Sequence, residues 1–251
     1  KGELRLEDFE AIPICSGFDR IGEFSSSNPI INQLQHNIEW GFWGNFVDVP
    51  TDCPQRDERL GWTGDAQVFF RTASFLGKVD NFFNKWLSDL KADQRHDGRV
   101  PRIIPDTYSN GDYRTAATGW ADASVIIPWN HYMAFGNVNI LEQQYDSMKG
   151  WVDYMVSQSK DRGWLWNNGS HYGDWLFYSL SNDPGGQSAV TSSHLVAQCF
   201  FAHSADLVSR TAKLLGKQKD ADDYAEIASK VRKAYMDEYV TPNGLISSDT
   251  Q

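Results

Sequence analysis

Cysteine is scarce in this sequence. Cys15, Cys53 and Cys199 are the whole supply in 251 residues, and an odd number cannot pair completely. None stands in a CxxC spacing or beside a histidine cluster, which excludes a disulfide framework and a thiolate metal site. Positive charge is also short: 23 Lys and Arg against 33 Asp and Glu leave a net charge of −10. That balance repels a phosphate backbone, so nucleic acid is excluded as a partner and a neutral ligand is favoured. No apolar run reaches the length that spans a membrane, and the first residues carry no signal-peptide pattern. A Gly-rich phosphate loop, an HExxH pair and strand–helix alternation are absent as well. Neither a metal nor another cofactor is expected, and a membrane is not expected as a partner.

Aromatic residues, by contrast, are abundant: ten Trp, ten Tyr and fourteen Phe. Most belong in a large core. The surplus suits the wall of a site for flat ligands with apolar faces, sugar rings among them.

The periodicity is helical throughout, which makes this an all-α chain. After an extended approach over residues 1–27, the first helix begins at "NPIINQLQHNIEW". Asn28 is its N-cap, Pro29 suits its first position, and Ile30, Ile31, Leu34 and Ile38 share one face. The second is predicted over 65–76, capped by Thr63 and stopped by Gly77. The third, over 78–94, has the clearest stripe: Val79, Phe82, Phe83, Trp86, Leu87 and Leu90. Four more follow at about 117–135 (kinked by Pro128), 139–158, 187–215 and 217–238. Trp129 and Trp151 read as core, and the helical histidines, His36, His131, His194 and His203, as packed or surface groups rather than ligands.

Helices two and three, four and five, and six and seven are joined by short turns at Gly77, Gly136 and Gly216, so each pair is antiparallel. The other connections, about 46–63, 93–116 and 159–186, are long and irregular. Because short and long connections alternate, the long ones gather at one end, which becomes the candidate active face. Besides the first loop's acids and arginines, they supply His96, Asp97, Arg99, Arg102, Asp106, Tyr108, Asp112 and Tyr113. The third loop adds Trp164, Trp166, His171, Tyr172, Asp174, Trp175 and Asp183.

The densest stretch is "DCPQRDERLGWTGD", residues 52–65, with four carboxylates, two arginines and a tryptophan on a backbone stiffened by Pro54. Cleaving a glycosidic bond takes two carboxyl groups, one of them protonated through burial or a neighbouring like charge. Crowded acids with interleaved arginines meet that need. The same composition also makes structural ion-pair networks that tie a loop down, and residue types alone leave both readings open.

"GNFVDVPTDCPQRDERLGWTGDAQVF" resembles the hallmark block of the bacterial α-L-rhamnosidases of glycoside hydrolase family 78. "SNPIINQLQHNIEWG" before it, and "GWADASVIIPW" and "GDWL" after it, are similar to that family in the same order. The resemblance implies an (α/α)6 barrel of the six-hairpin glycosidase type, of which about the first seven helices are present. It implies inverting hydrolysis of terminal α-L-rhamnose without a catalytic metal, and substrates that are rhamnose-containing glycosides or polysaccharides. Glu58 matches the general acid. Asp52, Arg56 and Asp65 match residues that bind sugar hydroxyls or hold the acid. Trp62, Trp120 and Trp175 match aromatics around the ring, with Asp174 beside the last; Asp57 matches a recurrent position without an assigned role. Glu58 would be the protonated member, its pKa raised by Asp52 or Asp65.

The family's general base matches no residue of this chain. The expectation is that residues 28–251 are the N-terminal part of the catalytic barrel, following a linker from an upstream β-sandwich. The piece would supply the acid without the base. Its uncovered helix faces would be met by the rest of the barrel or by self-association. Two other readings stay open: an (α/α)6 glycosidase or lyase acting on another sugar, and a non-catalytic carbohydrate-binding relic.

Overall fold

The computed structural model describes residues 2, 4–107, 116–175 and 191–248. Among these, seven α-helices carry the fold: α1 (Pro29–Asn45), α2 (Thr63–Leu76), α3 (Asp80–Asp93), α4 (Ala123–Phe135), α5 (Asn139–Ser159), α6 (Ser193–Leu214) and α7 (Gln218–Tyr239). Two-residue strands, β1 (Phe46–Val47) and β2 (Val49–Pro50), pair antiparallel directly after α1.

Helix starts show which local signals won. At α1 the Asn28 carboxamide accepts from the Ile30 amide at 2.9 Å, the cap its sequence predicts. At α2 the helix begins at Thr63 itself, and Trp62 takes the cap position with no side-chain bond. The Thr63 hydroxyl is drawn instead to the Arg102 carbonyl at 3.0 Å, a tertiary partner that outcompetes capping. α4 begins at Ala123 rather than at 117, because Gly119 is left-handed (φ +80°) and Asp122 folds back to accept its amide at 2.8 Å. Pro128 sits buried inside α4, which runs continuously through it. The predicted beginning of α6 at 187 lies outside the described residues.

The helices stack in two rows. α2, α4 and α6 lie side by side; α3 and α5 form a second row behind them, and α7 closes on α6. This is the arrangement of consecutive hairpins in an (α/α)6 barrel. One continuous core fills the space between the rows, with Trp86, Trp151, Phe70, Phe83 and Phe201 fully buried. Trp129 packs against it half-buried. Phe18, ahead of α1, joins the same core by stacking on Phe42 at 5.0 Å. The apolar stripe expected on α1 is different: Ile30, Ile31 and Leu34 are exposed and Ile38 is half-buried, and Trp40 on the same helix is exposed as well. Cys15 and Cys199 are exposed and Cys53 is buried, all as free thiols. No described helix is long and apolar enough to cross a membrane.

The second long connection is held against α5 at a glycine. Gly98 has φ +93°, and a Cβ there would lie 2.0 Å from the Gly150 carbonyl oxygen. The Gln94 carboxamide seals the contact, donating to the Gly98 carbonyl at 2.8 Å and to the Ser147 carbonyl at 3.1 Å. Gly98→Ala must both strain the backbone and push two chains apart. It is expected to lower unfolding stability by at least about 2 kcal/mol in denaturant titration.

Candidate active site

The three long connections meet at one end of the helical rows. The first is stitched to the second by backbone: the Ile104 amide donates to the Gly61 carbonyl, and the Thr63 amide to the Arg102 carbonyl, both at 2.8 Å. The second is joined to the third by side chains. Arg102 donates to the Tyr172 hydroxyl at 2.6 Å, and Thr118 meets His171 Nδ1 at 2.9 Å from its hydroxyl. Between them lies a cavity of about 580 Å³, in the range that holds small ligands.

Trp120, Trp175, Phe42 and Phe46 line this cavity, together with Asp52 and Asp65. Trp120 and Trp175 stand edge to face at 6.4 Å. Tyr172 wedges against both, at 4.4 Å from Trp120 and 4.7 Å from Trp175. The wedge is braced by Arg102, only 8 % exposed, whose guanidinium carbon also lies 4.6 Å from the Tyr172 ring centroid. Gly64 supports Trp120 from beneath: a Cβ there would be 2.7 Å from the indole.

The acidic side is held by a closed loop. Asp52 donates its amide to the Leu60 carbonyl at 3.2 Å and takes the Leu60 amide on Oδ1 at 3.0 Å. Its other oxygen, Oδ2, is buried with no hydrogen-bond partner, although Arg56 Nη2 stands 3.9 Å away. A buried acceptor left open in the wall of a cavity is a place for a ligand's hydroxyl. Arg56 Nε donates to Glu58 Oε2 at 2.9 Å, and this bond, first among its causes, holds the guanidinium pKa above its ordinary value. Glu58 is half-exposed and sits at the rim, reaching the cavity through Arg56 and Asp52 rather than forming its wall. Asp65 has an outer edge open to solvent. The protein packed around its carboxyl still pushes its pKa up, and Asp52 and Glu58 add to the push.

Of the residues singled out from sequence, Asp52, Asp65, Trp120 and Trp175 therefore come together as walls, with Arg56 and Glu58 adjoining them. Trp62 lies behind the loop, its indole N–H buried and unpartnered, and Asp174 is half-buried next to Trp175 without lining the cavity. Asp57 points into solvent, 3.7 Å from Arg59. Several second-loop charges are structural: Asp97 pairs with Arg99 at 2.8 Å and Asp106 with Arg95 at 2.5 Å. Tyr108, Asp112, Tyr113 and Asp183 lie outside the described residues. Gly64, Phe42 and Phe46 carry no sequence signal of a cavity wall, since a glycine or phenylalanine within or just after a helix reads as packing.

His171 is the joint between the second and third connections. Its Nε2 donates to the Asn168 carbonyl at 3.0 Å, leaving Nδ1 to accept from Thr118. Burial, first, pushes its pKa down to about 4, with nearby His194 and Arg102 contributing.

The comparisons with known proteins agree on one family. Residues 19–251 match the model of the bacterial alpha-L-rhamnosidase 6 hairpin glycosidase domain. An alpha-L-rhamnosidase of Formosa agariphila is 42% identical over 235 residues, 94% of this chain and 24% of that protein. One of Alteromonas sp. is 40% identical over 228 residues, again 24% of its length. Among solved structures, Streptomyces avermitilis alpha-L-rhamnosidase complexed with L-rhamnose is 38% identical with a TM-score of 0.81, covering 91% of this chain and 21% of that one. Dictyoglumus thermophilum alpha-L-rhamnosidase is 33% identical with a TM-score of 0.86, covering 96% and 26%. The chain thus spans about a quarter of the length of the curated relatives it matches.

Two measurements test the geometry. Gly64→Ala favours the helix by its propensity but collides with Trp120, so the tryptophan near-UV circular dichroism is expected to change while helix content holds. For His171, an unfolded ring takes its proton near 6.5 and the folded one only near 4. The unfolded state therefore binds more protons in that window, and the stability held above about 6.5 is lost as pH falls toward 4, by up to about 3 kcal/mol. Denaturant midpoints of wild type and His171→Gln are expected to diverge at neutral pH and converge on acidification.

Proposed function

The chain belongs to the bacterial α-L-rhamnosidase six-hairpin glycosidase family, and from that premise we propose that the intact protein hydrolyses terminal α-L-rhamnose from glycosides with inversion. The observation that carries the reading is an aromatic-walled cavity with an open, buried carboxylate oxygen, Asp52 Oδ2. A 6-deoxy sugar presents a methyl group and C–H faces for Trp120 and Trp175, and hydroxyls for Asp52 and Arg56.

Glu58 is the general acid in this reading, protonating the departing oxygen. To do so it releases Arg56 Nε, which is then free for a sugar hydroxyl. The base comes from a residue outside these 251 and activates water on the opposite face, at the roughly 6.5–9.5 Å carboxyl separation that inversion needs. The exposed face of α1 at Ile30, Leu34 and Trp40 is covered by the remainder of the same barrel.

One observation favours a second assignment of the proton. Asp65 is a carboxyl in the cluster whose surroundings hold its proton to higher pH, which suits a general acid as well as a partner for one.

The intact protein assayed on a panel of nitrophenyl glycosides is expected to release nitrophenol from the α-L-rhamnoside. Preference for another sugar would select a different glycosidase, and binding without turnover a relic. Glu58→Gln is expected to lower kcat about 10²–10⁴-fold and to remove the basic limb of the pH–rate profile. Loss of that limb in Asp65→Asn alone would move the acid to Asp65. Proton NMR of the first-formed rhamnose is expected to show the β anomer.

A further inference from the structure

The run "GWADASVIIPW" holds one acid among apolar residues, and the structure buries it completely. Asp122 is 0% exposed and no cation pairs with it in the described structure; both oxygens are occupied by neutral donors from three segments. Oδ1 accepts from Trp151 Nε1 of α5 at 2.9 Å and from the Ser204 hydroxyl of α6 at 2.5 Å. Oδ2 accepts from the Gly119 amide at 2.8 Å.

The third bond matters for the site. Gly119 and Trp120 both line the cavity, and Gly119 holds a left-handed conformation that sends the chain into Trp120. The carboxylate thus ties the turn presenting the indole to two helices of the core. Desolvation opposes the charge of Asp122 and three donors support it. An isolated buried acid is costly, and the fold retains one where a neutral residue would pack more simply.

We propose that Asp122 is a positioning residue for the substrate cavity, fixing Trp120 through the Gly119 amide and so setting how tightly the sugar ring is held. It touches no substrate. The proposal rests on the rhamnoside-hydrolysing reading for its kinetic arm and on the geometry alone for its spectroscopic arm.

Asp122→Asn in the intact protein keeps shape but turns one acceptor into a donor; neither the Gly119 amide nor the Trp151 indole can accept from it, and only the Ser204 hydroxyl can. KM for the nitrophenyl rhamnoside is expected to rise about tenfold with kcat within about twofold. Ser204→Ala and Trp151→Phe remove the other two donors and leave the Gly119 bond, so they are expected to lower Tm with KM unmoved. If Asp122→Asn lowers Tm without raising KM, or if the two donor variants raise KM as much, the carboxylate is structural only and the proposal falls. Should Asp122→Asn not fold, Gly119→Ala strains the held residue and keeps the acid; it is expected to raise KM likewise, and an unchanged KM overturns the idea. If the wild type does not cleave the rhamnoside, the proposed activity fails by itself. Near-UV circular dichroism then decides: Asp122→Asn and Trp120→Phe are expected to lose the same indole band, and its retention in Asp122→Asn overturns the proposal.

Discussion

The backbone pairing of residues 61–63 with 102–104 is the constraint on which the open end of this molecule depends. Two amide–carbonyl bonds at 2.8 Å join Gly61 to Ile104 and Thr63 to Arg102, residues far apart in the chain, and Gly61 permits the approach because a Cβ would lie 2.0 Å from the Ile104 carbonyl oxygen. Once that seam is closed, α2 must start at Thr63 and Asp65 must face the cavity from its first turn. The seam also places Arg102 under Tyr172, and through Tyr172 it fixes the angle between Trp120 and Trp175. A loop of mixed charge thereby acquires geometry from neutral backbone bonds, which salt and pH leave alone.

The charges themselves are unevenly matched. Arg56 serves both Glu58 and Asp52, and its side chain is more than half exposed, so solvent screens much of what it offers. Three carboxylates around one screened guanidinium leave the cluster net negative, and such a cluster answers by holding a proton. The push on Asp65 comes first from the protein packed around its carboxyl, and the negative charge of Asp52 and Glu58 adds to it. A ligand rich in hydroxyls relieves the same imbalance differently, by donating to the open Asp52 oxygen. Proton and sugar are thus alternative answers to one electrostatic problem, which is how a binding cluster and an acid–base cluster come to share residues.

Much of the fold could be read from sequence because its signals were local. The Asn28 cap, the stripe from Phe83 to Leu90, and the glycines at 77, 136 and 216 each act within a turn or two of chain. The meeting of the long connections followed from the alternation of loop lengths alone. What stayed hidden was nonlocal. Thr63 looks like a cap until Arg102 claims its hydroxyl, and α4 looks longer until Asp122 folds onto Gly119. The stripe of α1 was readable, but no period tells which surface covers it. At the site, the resemblance points to Asp52, Arg56, Glu58, Asp65, Trp120 and Trp175, whereas the difference between wall and rim arises only from how the folded loops meet.

Glycine accounts for the remaining step from aromatic content to an aromatic cavity. An indole in a core is covered on both faces, and Trp151 shows that condition. Trp120 is different because its neighbours are small on the side that matters: Gly64 lies beneath it and Gly119 precedes it, and both line the cavity. Gly173, two residues before Trp175, lines it as well. Removing side chains around a tryptophan lets the ring be fixed at its edge by Tyr172 and still present area to a ligand. Fixing is what makes that area useful, since a ring ordered beforehand loses little entropy on binding. The abundance of tryptophan is therefore insufficient to mark a site; tryptophan next to glycine, on turns that a buried carboxylate and a buried guanidinium hold from behind, is the arrangement that does.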